Sequence, residues 1–261
     1  MASAYPPPVN RLLQIGDDGD DRAGTDYLAL GLGSEHIPDL VRMLQDDALR
    51  EADNPEAWAP LHASRALGQP RAEEAIEPLL GMLHRLDDQD DEWLGQESPG
   101  IFGQIGPAAI APLERHAASS ENSTTERLGA VSGLPEIAQH YPEARAGVVA
   151  ALTRLLENYA EPERDPGING FLITFLADLD AQDAAPLIER AFAAGAVDES
   201  IAGDWRDIQI QLGLLAQRSA PRQRWSDPSL DAIGQIQKSV QSLAKAGLAP
   251  GPKRKHHRRK K

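Results

Sequence analysis

Apolar residues recur at helical spacing along most of this chain, and they do so inside a repeated phrase. The phrase is an apolar stretch with proline in its first turn, preceded by a short apolar helix. It reads His36-Ile37-Pro38-Asp39-Leu40-Val41, then Ala75-Ile76-Glu77-Pro78-Leu79-Leu80. It returns as Ala109-Ile110-Ala111-Pro112-Leu113 and Ala184-Ala185-Pro186-Leu187-Ile188, and without proline as Val148-Val149-Ala150-Ala151-Leu152. Proline suits a first turn because those N–H groups have no intrahelical partner. Ile76, Leu79, Leu80 and Leu83 share one helix face, as do Ala184, Leu187, Ile188 and Ala191. Nowhere do apolar and β-branched residues alternate as a strand requires, so no sheet is expected. Pro78 and Pro112 are 34 residues apart, a spacing suited to stacked helix pairs.

The pattern predicts pairs. The helix ending at Gly68 precedes one from Glu74 to Leu86. Ile101 to Gly106 leads into Ala109 to Ala117, and Leu128 to Ala138 into Arg145 to Tyr159. Ile168 to Leu179 leads into Ala184 to Ala194. Gly68 and Gly106 stand where a helix end favours a left-handed residue. An N-terminal pair is expected over Val9 to Ile15 and Asp26 to Leu32, followed by a helix from Ser34 to Gln45. Asp204 is placed to cap a helix from Trp205 to Gln217. The resulting layout is a stacked helical body over 1–217, a Pro-, Ser- and Arg-rich linker over 218–229, an amphipathic helix over 230–246 and a disordered basic tail over 247–261.

Composition narrows the chemistry. Among 261 residues, 41% are hydrophobic and only 5% aromatic, so small aliphatic side chains fill the core. There is no cysteine, which excludes disulfides, thiolate metal sites and a cysteine nucleophile and fits a cytoplasmic protein. The first residues carry no basic region followed by an apolar run, and no segment is long and apolar enough to span a bilayer. The net charge is −14, unevenly spread. Seven bases and no acid lie between Lys253 and Lys261. With those set aside, 19 basic residues face 40 acidic ones, a formal charge of −21. The body is expected to repel nucleic acid and anionic membranes, and the tail to attract them.

The segment from Arg65 to Leu83, Arg-Ala-Leu-Gly-Gln-Pro-Arg-Ala-Glu-Glu-Ala-Ile-Glu-Pro-Leu-Leu-Gly-Met-Leu, resembles a HEAT-like repeat of the kind found in phycobilisome lyase subunits and many bacterial proteins. Ile105-Gly106-Pro107-Ala108-Ala109-Ile110-Ala111-Pro112-Leu113 is a second match. The resemblance spans about Asp26 to Ala194 and implies an all-α, right-handed α-solenoid of antiparallel helix pairs. The polar stretch Ser119 to Thr125 and the Leu134-Pro135 step depart from the pattern. The resemblance also implies that second helices line the concave face. Two residues after each core leucine come Arg42, Gly81, Arg115, Arg154 and Glu189, with Arg190 next. Arg42, Arg115, Arg154 and Arg190 either form a ridge for carboxylates or phosphates, or pair with neighbouring glutamates.

Trp93 and Trp225 fall in expected loops, where Trp93 is a candidate partner anchor. Trp58 and Trp205 sit at helix starts and read as packing residues. The acidic runs Asp17 to Asp21 and Asp87 to Glu92 lack the glycine and closing glutamate of a calcium loop. The histidines are dispersed, with no HExxH upstream of the tail, and no nucleophile elbow occurs. No metal, cofactor or catalytic site is therefore expected. The expected role is a scaffold or adaptor that binds a protein partner on its solenoid surface. Two alternatives stand beside it. One, implied by the resemblance alone, is a bilin-lyase-like enzyme subunit. The other is association with RNA, ribosomes or another anionic surface through Lys253, Arg254, Lys255, Arg258, Arg259, Lys260 and Lys261.

Overall fold

A computed structural model of the chain describes residues 5–17, 25–87, 92–161 and 164–216. The chain divides into two units, Met1–Ala216 and Gln217–Lys261. The linker, the 230–246 helix, Trp225 and the basic tail lie outside the described residues.

The described residues are helical and contain no strand. The α-helices are α1 (Ile37–Leu44), α2 (Asp47–Arg50), α3 (Ala59–Gly68), α4 (Ile76–Leu80), α5 (Glu92–Ile105), α6 (Ile110–Ala118), α7 (Thr124–His140) and α8 (Arg145–Glu157). They continue with α9 (Pro166–Asp178), α10 (Ala185–Ala193), α11 (Glu199–Ala202) and α12 (Trp205–Gln211). None is long and apolar enough to cross a membrane.

The repeated phrase has a shared local form. A 3-10 turn precedes each helix that carries it: Ser34–His36, Glu73–Ala75, Pro107–Ala109, Pro142–Ala144 and Gln182–Ala184. Four of these turns end on a buried alanine, Ala75, Ala109, Ala144 or Ala184. A larger side chain there would overpack the seam between neighbouring helices. Pro38 and Pro186 lie in the first turn of α1 and α10, and Pro78 and Pro112 are the third residues of α4 and α6.

Contacts run in two rows. In one, the N-terminal turn Val9–Gln14 packs on α3, α3 on α5, α5 on α7 and α7 on α9. In the other, α1 meets the turn before α4, and α4, α6, α8 and α10 follow one another. Between the rows, α1 packs on α3, α4 on α5, α6 on α7 and α8 on α9. One continuous core results, with Leu40, Leu67, Leu79, Leu113, Leu134, Leu152, Leu172 and Ile188 among its members. The tightest neighbours are α5 and α7. A Cβ on Gly103 would lie 2.8 Å from the Glu136 Cβ, so the two helices approach at a distance only glycine permits.

Several sequence expectations change. Asp26 to Leu32 is a series of turns, not a helix, because Gln69 holds it: its Oε1 accepts from the Tyr27 N–H at 2.9 Å and its Nε2 donates to the Thr25 carbonyl at 3.1 Å. The expected Glu74–Leu86 helix breaks at Gly81 into α4 and a 3-10 turn, Leu83–Asp87. Gly106 has the expected left-handed backbone, φ 97°, but at the previous corner Arg71 (φ 55°) takes that role and Gly68 does not. Pro135 does not interrupt α7, where buried Val131, Leu134 and Ile137 hold the helix together on either side of it. Trp93 belongs to α5 rather than a loop. Asp204 caps as expected, accepting from the Asp207 N–H at 2.9 Å, although α12 ends at Gln211.

Candidate functional site

The predicted arginine column is divided by its surroundings. Arg154 on α8 makes a two-point pair with Glu114 on α6, Nε and Nη2 lying 2.6 and 2.7 Å from the two carboxylate oxygens. Arg115 on α6 reaches back to Glu77 on α4 at 2.9 Å. Each bond joins consecutive helices of one row, so these guanidinium groups tie neighbours together. In the other row, Arg65 on α3 grips Glu97 on α5 through Nε and Nη2 at 3.1 and 2.8 Å. Arg42 is held within its own helix by Asp39 at 2.7 Å and lies 4.2 Å from the Tyr5 ring centroid. Asp39 raises the Arg42 pKa further, fixing its charge. Arg190 on α10 is exposed and has no ion pair among the described residues. Arg42, Arg115 and Arg154 thus each have a different carboxylate partner, and Arg190 has none among the described residues. The seven basic tail residues lie outside the described residues.

A different set converges at the corners between helix pairs. Leu28, Gly68, Gln69, Arg71, Gln104, His140 and Tyr141 line an open groove of about 320 Å³. Its shape comes from local backbone choices. Gly106 turns the chain after α5 in a conformation that brings its Cα against the Tyr141 ring. The Tyr141 hydroxyl donates to the Gln104 carbonyl at 2.8 Å, which satisfies a C-terminal group of α5. The Arg71 guanidinium lies 5.0 Å from the Tyr141 ring centroid, within cation–π range. It has no carboxylate partner among the described residues. His140 directs Nδ1–H at the Glu136 carbonyl, 2.9 Å away, so in the neutral ring Nε2 remains an acceptor. Leu28 is 53% exposed at the rim.

The groove therefore offers a fixed cation, an aromatic face, an imidazole acceptor and an apolar edge. That combination can recognise a carboxylate beside an apolar group. It was not legible in the sequence, because its residues come from four separate stretches: Leu28, Gly68 to Arg71, Gln104, and His140 with Tyr141. The only local signal was Gly106-Pro107. Among the described residues, no group of three His, Asp or Glu is placed to hold a metal ion. Asp18 to Asp21 and Asp88 to Asp91 lie outside the described residues, as does the Trp93 side chain. Trp205 packs against Phe192 with ring centroids 6.0 Å apart. Comparison with family models, curated proteins and solved structures gives no match for this chain.

Proposed function

We propose that the chain is a right-handed, HEAT-like α-solenoid that serves as a non-catalytic interaction scaffold, and that a protein partner seats on the groove around Arg71 and Tyr141. The solenoid reading is supported by the repeated turn-then-helix phrase and by the two rows in which each helix meets its successor. The single observation that carries the binding reading is the Arg71 cation, which lies over Tyr141 at an open groove and has no carboxylate partner among the described residues. The fitting partner element is a short segment that sets a carboxylate next to an apolar side chain. The carboxylate meets Arg71 while the apolar group covers Leu28. The strong negative charge of the chain before the tail favours a partner that is otherwise basic, since opposite net charges speed encounter. A cytoplasmic setting fits the cysteine-free composition.

The test is affinity capture from native cell extract with wild type and Arg71→Glu, checked by far-UV circular dichroism. The variant should keep its helical signal and lose the captured protein. Undiminished capture by folded Arg71→Glu would remove the groove as the binding surface.

A further inference from the structure

The groove around Arg71 presents more than a cation and an apolar rim. Gln104, in the last turn of α5, is exposed, and its side-chain amide makes no hydrogen bond among the described residues. It lies across the end of α3, where a Cβ on Gly68 would stand 2.7 Å from its Oε1. Gly68 thus leaves the amide room to sit in the groove. Gln69, in the same wall, is already occupied. Its Oε1 accepts from the Tyr27 and Leu28 N–H groups at 2.9 and 3.3 Å, and its Nε2 donates to the Thr25 carbonyl at 3.1 Å. That clamp holds Leu28 beside the turn that carries Arg71. His140 directs Nδ1–H at the Glu136 carbonyl, which leaves Nε2 of the neutral ring as an acceptor.

A ligand that matches these groups needs a carboxylate, an amide N–H, a carbonyl and an apolar side chain close together. The cavity, about 320 Å³, is near the lower end of the range for ligand sites, about 300–1,000 Å³. In an extended internal segment, side chains on one face are two residues and about 7 Å apart. An internal acid and an apolar neighbour therefore need a longer site. The last residue of a chain carries its carboxylate, its amide and its side chain on one Cα. A free amino acid shares that layout but adds an ammonium group. None of the described residues lining the groove is acidic, so that charge would find no partner.

We infer that the groove binds the C-terminus of a protein partner whose last residue is aliphatic. The inference rests on the reading of the groove as the partner site and specifies the element that enters it. Arg71 takes the terminal carboxylate, His140 Nε2 accepts the last amide N–H, the Gln104 amide donates to the preceding carbonyl, and Leu28 covers the last side chain.

NMR titration of the 15N-labelled full chain tests this, read at the Gly68, Arg71 and Gly106 amides. The probes are acetyl-Gly-Ala-Leu with a free carboxylate, the same peptide as its C-terminal amide, free leucine, and the internal acid in acetyl-Gly-Ala-Asp-Leu-Gly amide. The free-carboxylate peptide should shift these signals saturably. The other three should bind about tenfold more weakly or worse, since each lacks the terminal charge or misplaces it or adds an unpaired one. Gln104→Met, a change at an exposed position, should weaken the free-carboxylate peptide about fivefold. Equal binding of the acid and amide forms, or no effect of Gln104→Met, would overturn the inference. So would the absence of any shift. Preference for the internal acid would also overturn it while leaving the groove as the partner site, which the Arg71→Glu capture tests separately.

Discussion

Gly106 carries a conformation and a contact that no other residue supplies. Its φ is 97°, and a Cβ there would stand 2.7 Å from the Tyr141 ring. Gly106→Ala therefore combines backbone strain with displacement of the ring that underlies Arg71, and should cost about 2 kcal/mol or more. Urea unfolding measures this, and a loss below about 0.5 kcal/mol would mean the corner is looser than described. His116 gives a pH signature. Its Nε2 is buried without a hydrogen-bond partner. Burial holds its pKa below the ordinary 6.5, against the pull of Glu126 and Glu77. The unfolded chain then binds the proton more readily, so stability falls as pH drops through the window beneath 6.5. His116→Gln should flatten that part of the stability profile, and an unchanged slope between pH 7 and the acid side would rule this residue out as its source. At this scale the sequence was partly legible. Gly106 was readable because glycine followed by proline at a helix end points to a left-handed corner. Arg71 was not, since nothing local marks an arginine for φ 55°. The burial of Arg127 and Arg164, 6% and 7% exposed, was illegible for a related reason: Thr-Thr-Glu-Arg and Glu-Pro-Glu-Arg-Asp read as solvated surface.

The helices take their limits from caps and their order from ties to the next helix. Ser123 opens α7 with a reciprocal pair: its Oγ accepts from the Glu126 N–H at 3.2 Å while Glu126 accepts from the Ser123 N–H at 2.7 Å. Ser123→Ala should cost about 1 kcal/mol in urea unfolding. A neutral result would show that α5 and α6 alone position α7. Between elements, Arg154 and Glu114 link α8 to α6. Because the arginine is half exposed, a double-mutant cycle with Arg154→Ala and Glu114→Ala should return a coupling of about 0.5 kcal/mol, reduced by salt. No coupling would reduce the pair to solvated charges. The repeated proline phrase marked the second-row helices correctly, because a first-turn proline and a period of 3.6 are local properties. The division of the arginine column was not local. Which arginine reaches which glutamate depends on helices 38 and 40 residues apart, and the aligned column shows only that the residues recur. The same holds for Asp26 to Leu32, whose helical pattern yields to the distant Gln69 clamp.

At the scale of the molecule, the described residues form a helical body built by stacking small aliphatic faces, with a groove at its corners, and the basic segment follows them in sequence. Helical class, core composition and the position of most helices were accessible from periodicity. The groove was not, because four separate stretches create it only when stacked. The whole-molecule claim is that the helical body, and not the basic tail, selects the partner. Affinity capture from native cell extract with the full chain and with a version ending at Gly247, each at low and moderate salt, tests it most directly. The account predicts that one protein partner persists with both versions and survives moderate salt. Capture of RNA or ribosomes that vanishes with the tail or with added salt would contradict it and place the binding function in the segment from Lys253 to Lys261.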